Sequence, residues 1–216
     1  MKIEERIIAI DPGTRYQGIA VFQDETLNVA LVKNLRAKGS RRERLKEIEE
    51  LFQSFIEGYA PDVLVIKRFL PGQPRFLKAV IDEIKRLARK EKIRICNFSP
   101  LAVRKIIGGN VHATRKDMAE KVFSIYPKLK TRLKENPKSD CPELKNSLNQ
   151  NQKSFDLKLK IKLDEDRQKN ENNKQMLREK YWGYMFDAVG LGVCYLSKLI
   201  KSNSASHKRK RSLRSE

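Results

Sequence analysis

Two aspartates and one lysine stand where charged side chains are costly. Asp11 closes the apolar run Ile7-Ile8-Ala9-Ile10 and is followed by Pro12-Gly13-Thr14. Asp187 lies among Met185, Phe186, Ala188, Val189, Leu191 and Val193. A carboxylate buried there without a partner loses several kcal/mol, so each must reach a cation, a donor or water. Lys67 ends Val63-Leu64-Val65-Ile66, a run that reads as a strand buried on both faces. The end of a central strand in an α/β sheet is where ligands collect. Plainer readings stand beside these. Asp11 could serve as an Asx-turn residue, Asp187 as part of an exposed stripe, and Lys67 as a snorkelling strand end. The small residues Ala188, Gly190 and Gly192 favour close packing of the Asp187 helix on a sheet. His112 and His207 are too far apart for a histidine metal site, and Cys96, Cys141 and Cys194 lack metal spacing. Demanding chemistry therefore falls to carboxylates.

The 216 residues carry a net charge of +20. Such an excess favours a polyanionic partner, most often nucleic acid. No apolar run approaches the roughly 20 residues of a membrane span. The opening MKIEERIIAID is interrupted by acids, unlike a secretory leader. Scattered cysteines suit a reducing compartment. A cytoplasmic or nucleoid-associated protein is expected, and the KRKR tail leaves an organelle or the nucleus open. Arg104, Lys105, Arg115 and Lys116 surround Gly108-Gly109-Asn110, with Thr114 placed to cap the next helix. Such a turn suits a phosphate backbone, although the same charges also read as solvated helix surface. Arg68, beside Lys67, joins the DNA-binding candidates. Lys38 to Arg44 and His207 to Arg214 add sequence-independent, salt-dependent attraction. Phe69, Pro71 and Phe76 could form a wedge surface, but core or dimer contact is the stronger reading. Tyr181 and Trp182 read as core.

The elements that must position these residues follow from periodicity. Strands are expected at 5–11, 16–23 and 26–34, in an antiparallel meander turning at Asp24-Glu25. A helix over 42–58 places Leu45, Ile48, Leu51, Phe52 and Phe55 on one face. A strand at 62–67, a helix over 74–90 and a strand at 92–97 follow. Ser99 and Pro100 start another helix that stops at Gly108-Gly109, and Thr114 starts one reaching Tyr126. Residues 128–179 are polar and read as a disordered or loosely helical insertion, with 155–163 a possible exposed strand. A last helix spans 181–200, and 201–216 reads as a basic disordered tail. Residues 1–127 plus 180–200 thus form one domain of the ribonuclease H-like class, a mixed five-stranded sheet flanked by helices.

Four stretches in order carry a family resemblance. IIAIDPGTRYQGIAVF, PDVLVIKRF, SPLAVRKIIGGNVHATRKDMAEKV and MFDAVGLGVCYL resemble the RuvC-type Holliday-junction resolvases. The resemblance implies a homodimeric, Mg²⁺-dependent endonuclease (Mn²⁺ being possible) acting on branched or four-way junction DNA in recombination and repair. In such sites two metal ions about 4 Å apart clamp the scissile phosphate and activate water. The family brings four ligands: an acid on the first strand, a glutamate ending the fourth, and two acidic or histidine positions three apart on the last helix. Asp11 and Asp187 match the first and last. Lys67 and Tyr184 stand at the other two positions, and neither is a good ligand for a hard cation. An ammonium about 4 Å from a divalent ion repels it by roughly 8 kcal/mol at an effective dielectric near 20.

Three accounts follow. Lys67 pairs with Asp11 and Asp187 and replaces the metal, weakening or abolishing ion binding and leaving a catalytically degenerate binder of branched DNA. Or it sits beside a single ion and contacts the phosphate, with Asp11, Asp187 and Lys67 sharing the catalysis. Or another acid, among Asp117, Glu120 and Glu179, completes the set; Asp62 lies at the wrong end of its strand. The leading expectation is a structure-selective endonuclease. An actin-like ATPase domain, suggested by the Asp-Pro-Gly-Thr turn, is remote because a second Asp-x-Gly phosphate loop is missing.

Overall fold

The computed structural model describes residues 5–35, 39–130 and 171–212, with side chains for all of these except 171–180 and 202–212. Most of the 128–179 insertion lies outside the described residues. So do the 155–163 stretch, Cys141, Lys38 and the side chains of Glu179 and of 207–214.

Every strand expected from the sequence forms. β1 (Arg6–Asp11), β2 (Tyr16–Gln23), β3 (Thr26–Asn34), β4 (Val63–Lys67) and β5 (Arg94–Phe98) make one sheet in the order β3-β2-β1-β4-β5. β1, β2 and β3 pair antiparallel, whereas β1, β4 and β5 pair parallel. The tight turns of the meander permit the antiparallel half. The parallel half needs crossovers, supplied by α1 (Arg41–Tyr59) and α2 (Arg75–Lys90). α3 (Pro100–Ile107), α4 (Arg115–Ile125) and α5 (Glu171–Ser212) follow.

Strand alternation sorts the central residues into two cores. Ile8, Ile10, Leu64 and Ile66 face α1 and α2, meeting Ile48, Phe52, Phe55, Val80, Ile84 and Leu87. Phe69 and Phe76 pack at the edge of this core. Ile7, Ala9, Val63 and Val65 face the other way, onto Val103, Met118, Val122, Met185, Val189 and Leu191 of α3 to α5. Helix starts follow their cap residues. Ser40 and Glu43 form a reciprocal capping box at α1, and Ser99 accepts from the Ala102 amide at α3.

α5 extends beyond the 181–200 expected from the apolar pattern, taking in 171–180 and 201–212. These flanks contain no glycine or proline and many good helix formers. The apolar period marked only the part that packs.

Two glycines set how closely α5 approaches the sheet. A Cβ on Gly18 of β2 would lie 1.9 Å from the Tyr184 carbonyl oxygen, and one on Gly192 would lie 2.1 Å from the Phe22 ring. The helix backbone thus rests directly on β2. Gly18→Ala is expected to lower stability by about 2 kcal/mol or more, because the clash is with backbone. Gly58→Ala, in α1 with open space around its Cβ, is the control, expected neutral or slightly stabilising. Denaturant unfolding of both variants checks this.

Candidate active site

The parallel register brings the first pair together. Ile7 lies opposite Val63, Ala9 opposite Val65 and Ile10 opposite Ile66. One step further, Asp11 and Lys67 emerge on the same face at the strand ends. α5 crosses that face, and the contact at Gly18 fixes its height. Since Gly18 is itself the β-partner of Asp11, the glycine that admits the helix lies beside the first carboxylate. Asp187 follows one turn beyond the contact.

The three charges meet. Lys67 Nζ is 2.5 Å from Asp11 Oδ1 and 3.4 Å from Asp187 Oδ2. Asp11 is 1 % exposed, while the Lys67 and Asp187 side chains retain 21 % and 23 %. The site is therefore deep at Asp11 and open at its mouth. The Asp187 contact has hydrogen-bond geometry. Asp11 Oδ1 is buried and meets the ammonium in a close ion pair. Burial pushes the Asp11 carboxyl up to about 7, against the pull of Lys67, and the Asp187 carboxylate adds to the rise. Burial disfavours the Lys67 ammonium, but Asp11 and then Asp187 outweigh it and hold its pKa above the ordinary lysine range.

Neighbouring residues shape the rim. Gln17 is buried; its Nε2 donates to the Gly13 carbonyl at 2.5 Å and its Oε1 accepts from the Gly13 amide at 3.4 Å. This closes the turn that follows Asp11. Tyr16 packs edge-on against Tyr181 and tilted against Tyr184, with ring centroids 5.4 and 5.8 Å apart. Tyr181 donates to the Val32 carbonyl at 2.9 Å, in keeping with a core role. Burial raises the Tyr184 phenol, and the Asp11 carboxylate adds to this while Arg115 and Lys67 oppose it. The Arg115 stem lies along Gly183, whose Cβ would come 3.3 Å from Arg115 Cδ. Arg115 thus reaches from the exposed basic surface to α5, about one turn before Asp187.

The other sequence candidates separate. Arg104, Lys105, Thr114, Arg115 and Lys116 are exposed on α3, α4 and the turn between them. The Thr114 hydroxyl donates to Asp117 and accepts from its amide, and the Thr114 amide also donates to Asp117. The start of α4 therefore already holds a carboxylate of its own. Arg68 is exposed but influences Lys85 of α2, on the side away from Asp11, as alternation after Lys67 requires. Asp62 sits at the opposite end of β4, bonded to Arg6. Glu120 is exposed on α4. None of these acids joins Asp11 and Asp187.

Sequence reasoning overlooked Gln17 and the part Gly18 plays. A glutamine and a glycine side by side in the otherwise apolar YQGIAVFQ were the available signal.

Comparison with known proteins identifies the family and the fold. The model of the family Crossover junction endodeoxyribonuclease RuvC matches residues 7–141, more than half of the chain. The chain belongs to the RuvC family. The RuvC of Bacteroides fragilis is 30% identical over 131 residues, 54% of this chain and 66% of that protein, just under two thirds of its length. The RuvC of Brevibacillus brevis is 28% identical over 149 residues, 62% of this chain and 83% of that one. The structure of Thermus thermophilus RuvC in complex with Holliday junction substrate shares the fold. It has a TM-score of 0.51 and 18% identity, covering 56% of this chain and 79% of that one.

The Mg²⁺ or Mn²⁺ that the RuvC resemblance implies can be tested against the side chains present. Asp11 Oδ1 is a buried oxygen of the kind a hard cation takes. The cation already within reach is Lys67. Two carboxylates, one ammonium and a phenol held in its protonated form do not make a donor set for two divalent ions. Among the described residues, no three His, Cys, Asp or Glu side chains gather. The residues present do not fit a two-ion site.

Lys67→Met leaves Asp11 and Asp187 facing each other without a counter-charge, at a cost of about 3 kcal/mol near neutral pH. The folded state already holds the Asp11 proton more tightly than the unfolded chain does, and removing the ammonium strengthens that hold. A folded state that binds more protons gains stability as pH falls. The deficit of the variant relative to wild type should therefore be larger at pH 8 than at pH 5. Thermal melts of both proteins at the two pH values measure it, and a deficit independent of pH would contradict the carboxylate account.

Proposed function

We propose that this chain is a structure-selective DNA endonuclease of the Holliday-junction resolvase type. The observation that carries the reading is the convergence of Asp11 and Asp187 at the strand ends of a RuvC-family fold. That position suits a scissile phosphate, and Arg115 leads to it from the basic surface of α3 and α4. The net charge of +20 supports attraction to DNA, and the names of the matched relatives supply the junction as substrate class. The homodimer implied by the resemblance would give each strand pair at a junction its own site. A place in the cytoplasm or at the nucleoid suits such a substrate. Among the described residues no helix is long and apolar enough to cross a membrane.

A second reading rests on one specific observation. The two ion pairs of Lys67 favour a protein that binds branched DNA without cutting it.

A four-way junction and a linear duplex of the same sequence separate these readings. Cleavage of the junction by wild type, lost in Asp11→Asn, supports the endonuclease. Tight, salt-sensitive junction binding with no product in Mg²⁺ or Mn²⁺ supports the binder. Equal affinity for junction and duplex, with no cleavage, would overturn both.

The basic surface generates its own expectation. Arg115→Ala should weaken junction binding and lower the slope of log affinity against log salt by about one unit, as for loss of one phosphate contact. Arg68→Ala, facing α2, should leave the slope unchanged. Binding titrations over a salt series read both.

A further inference from the structure

We infer that Lys67 is an internal competitor of divalent cations: its ammonium holds the carboxylate oxygens that an incoming ion would need, so an ion can bind only by displacing it. The inference deepens the proposed function by naming what occupies and regulates that same site. Only its DNA arm rests on the junction reading.

Three observations carry it. The ammonium lies within ion-pair range of both carboxylates, 2.5 Å from Asp11 Oδ1 and 3.4 Å from Asp187 Oδ2. An ion coordinated by both oxygens would overlap or closely approach Nζ, and two cations cannot share that space. Asp11 is also the deep end of the site, at 1 % exposure, whereas Lys67 is 21 % exposed. The side chain that blocks the buried carboxylate is thus itself partly open to solvent. Finally, Asp11 Oδ1 is buried and the cation paired with it is Lys67. What draws the ammonium to it is chiefly charge, which a divalent ion would also supply.

The exchange balances in simple terms. For an ion to bind, the ammonium would have to leave toward solvent, and Asp11 and Asp187 would have to take the ion in its place. Because Lys67 is tethered, it competes at a high effective concentration that dilution cannot lower. Metal affinity is therefore set by the strength of two internal ion pairs as much as by the ligands. Among the described residues no third acid gathers with Asp11 and Asp187 to compensate.

The test uses the full chain without DNA. Mn²⁺ is the probe, followed by isothermal titration calorimetry and by the loss of its free-ion electron paramagnetic resonance signal. Wild type should bind Mn²⁺ no tighter than about millimolar. Lys67→Gln removes the competitor and should gain at least about tenfold in affinity. Lys67→Glu removes it and adds a ligand, and should bind tighter still. Lys67→Arg keeps a cation and should stay close to wild type. Adding Asp11→Asn to Lys67→Gln should abolish the gain, which places the ion at these carboxylates. Thermal melts establish that each variant is folded.

Micromolar Mn²⁺ binding by wild type would overturn the inference even if every variant misfolded. Equal affinity of wild type and Lys67→Gln would also overturn it. In the DNA arm, junction binding by wild type at constant ionic strength should be the same with EDTA as with Mg²⁺, and marked weakening by EDTA would count against the inference. Failure of junction selectivity would sink the proposed function while leaving the Mn²⁺ result standing, so the two can fail separately.

Discussion

The close approach of α5 to β2 is the constraint on which the rest of the arrangement depends. A helix usually stands off a sheet by the thickness of its side chains. Here Gly18 removes that spacer, and the carbonyl of Tyr184 comes down onto the strand. Because Gly18 pairs with Asp11, the contact lies at the one place where a small lateral error would separate the two aspartates. Further along the helix, Gly192 makes room for the Phe22 ring of the same strand. Two contacts along one axis fix both the height and the direction of the helix, and Asp187 inherits its position from them. The apolar core supplies the force, but it is non-directional. The glycines decide where that force stops.

The sheet half of the site has a different logic. Asp11 and Lys67 meet because two parallel strands run in register and end together. Their contact needs no special residue beyond the pair itself, only alternation and the paired alignment of Ile7 with Val63. An acid and a base buried at such a point satisfy each other. A family pattern that expects two acids there would instead concentrate negative charge and would need cations from solution. A change of sign at one position therefore alters what the fold must import to be electrically satisfied.

Much of this could be read in the sequence, for physical reasons specific to each element. β2 and β3 were legible to the residue because their apolar runs are bounded by turn formers. α3 and α4 were legible because Ser99-Pro100 and Thr114 are strong cap signals, and the caps form as expected. Asp11, Lys67 and Asp187 stood out because charge at the end of, or within, an apolar run has few stable explanations. What stayed hidden depends on three-dimensional juxtaposition. Nothing local says that Gln17 closes the turn at Gly13, or that Arg115 lies along Gly183. Arg68 shows the limit in another way: adjacent to Lys67 in sequence, it faces α2, since successive strand residues point to opposite faces. The extent of α5 was underestimated because its flanks carry helical propensity without an apolar stripe to reveal it.

The ion pair between Lys67 and Asp187 joins residues 120 positions apart. Asp11 and Lys67 can meet as soon as β1 and β4 have paired, long before α5 exists on a growing chain. During that interval the lysine has one carboxylate and an open flank. Only when the last helix settles on β2 does the second carboxylate arrive and the charges come into their final balance. Completion of the site is thus tied to completion of the fold, through a contact between residues 120 positions apart. A partly assembled sheet would be electrostatically distinct from the finished protein, and the chemistry of the site belongs to the finished form alone.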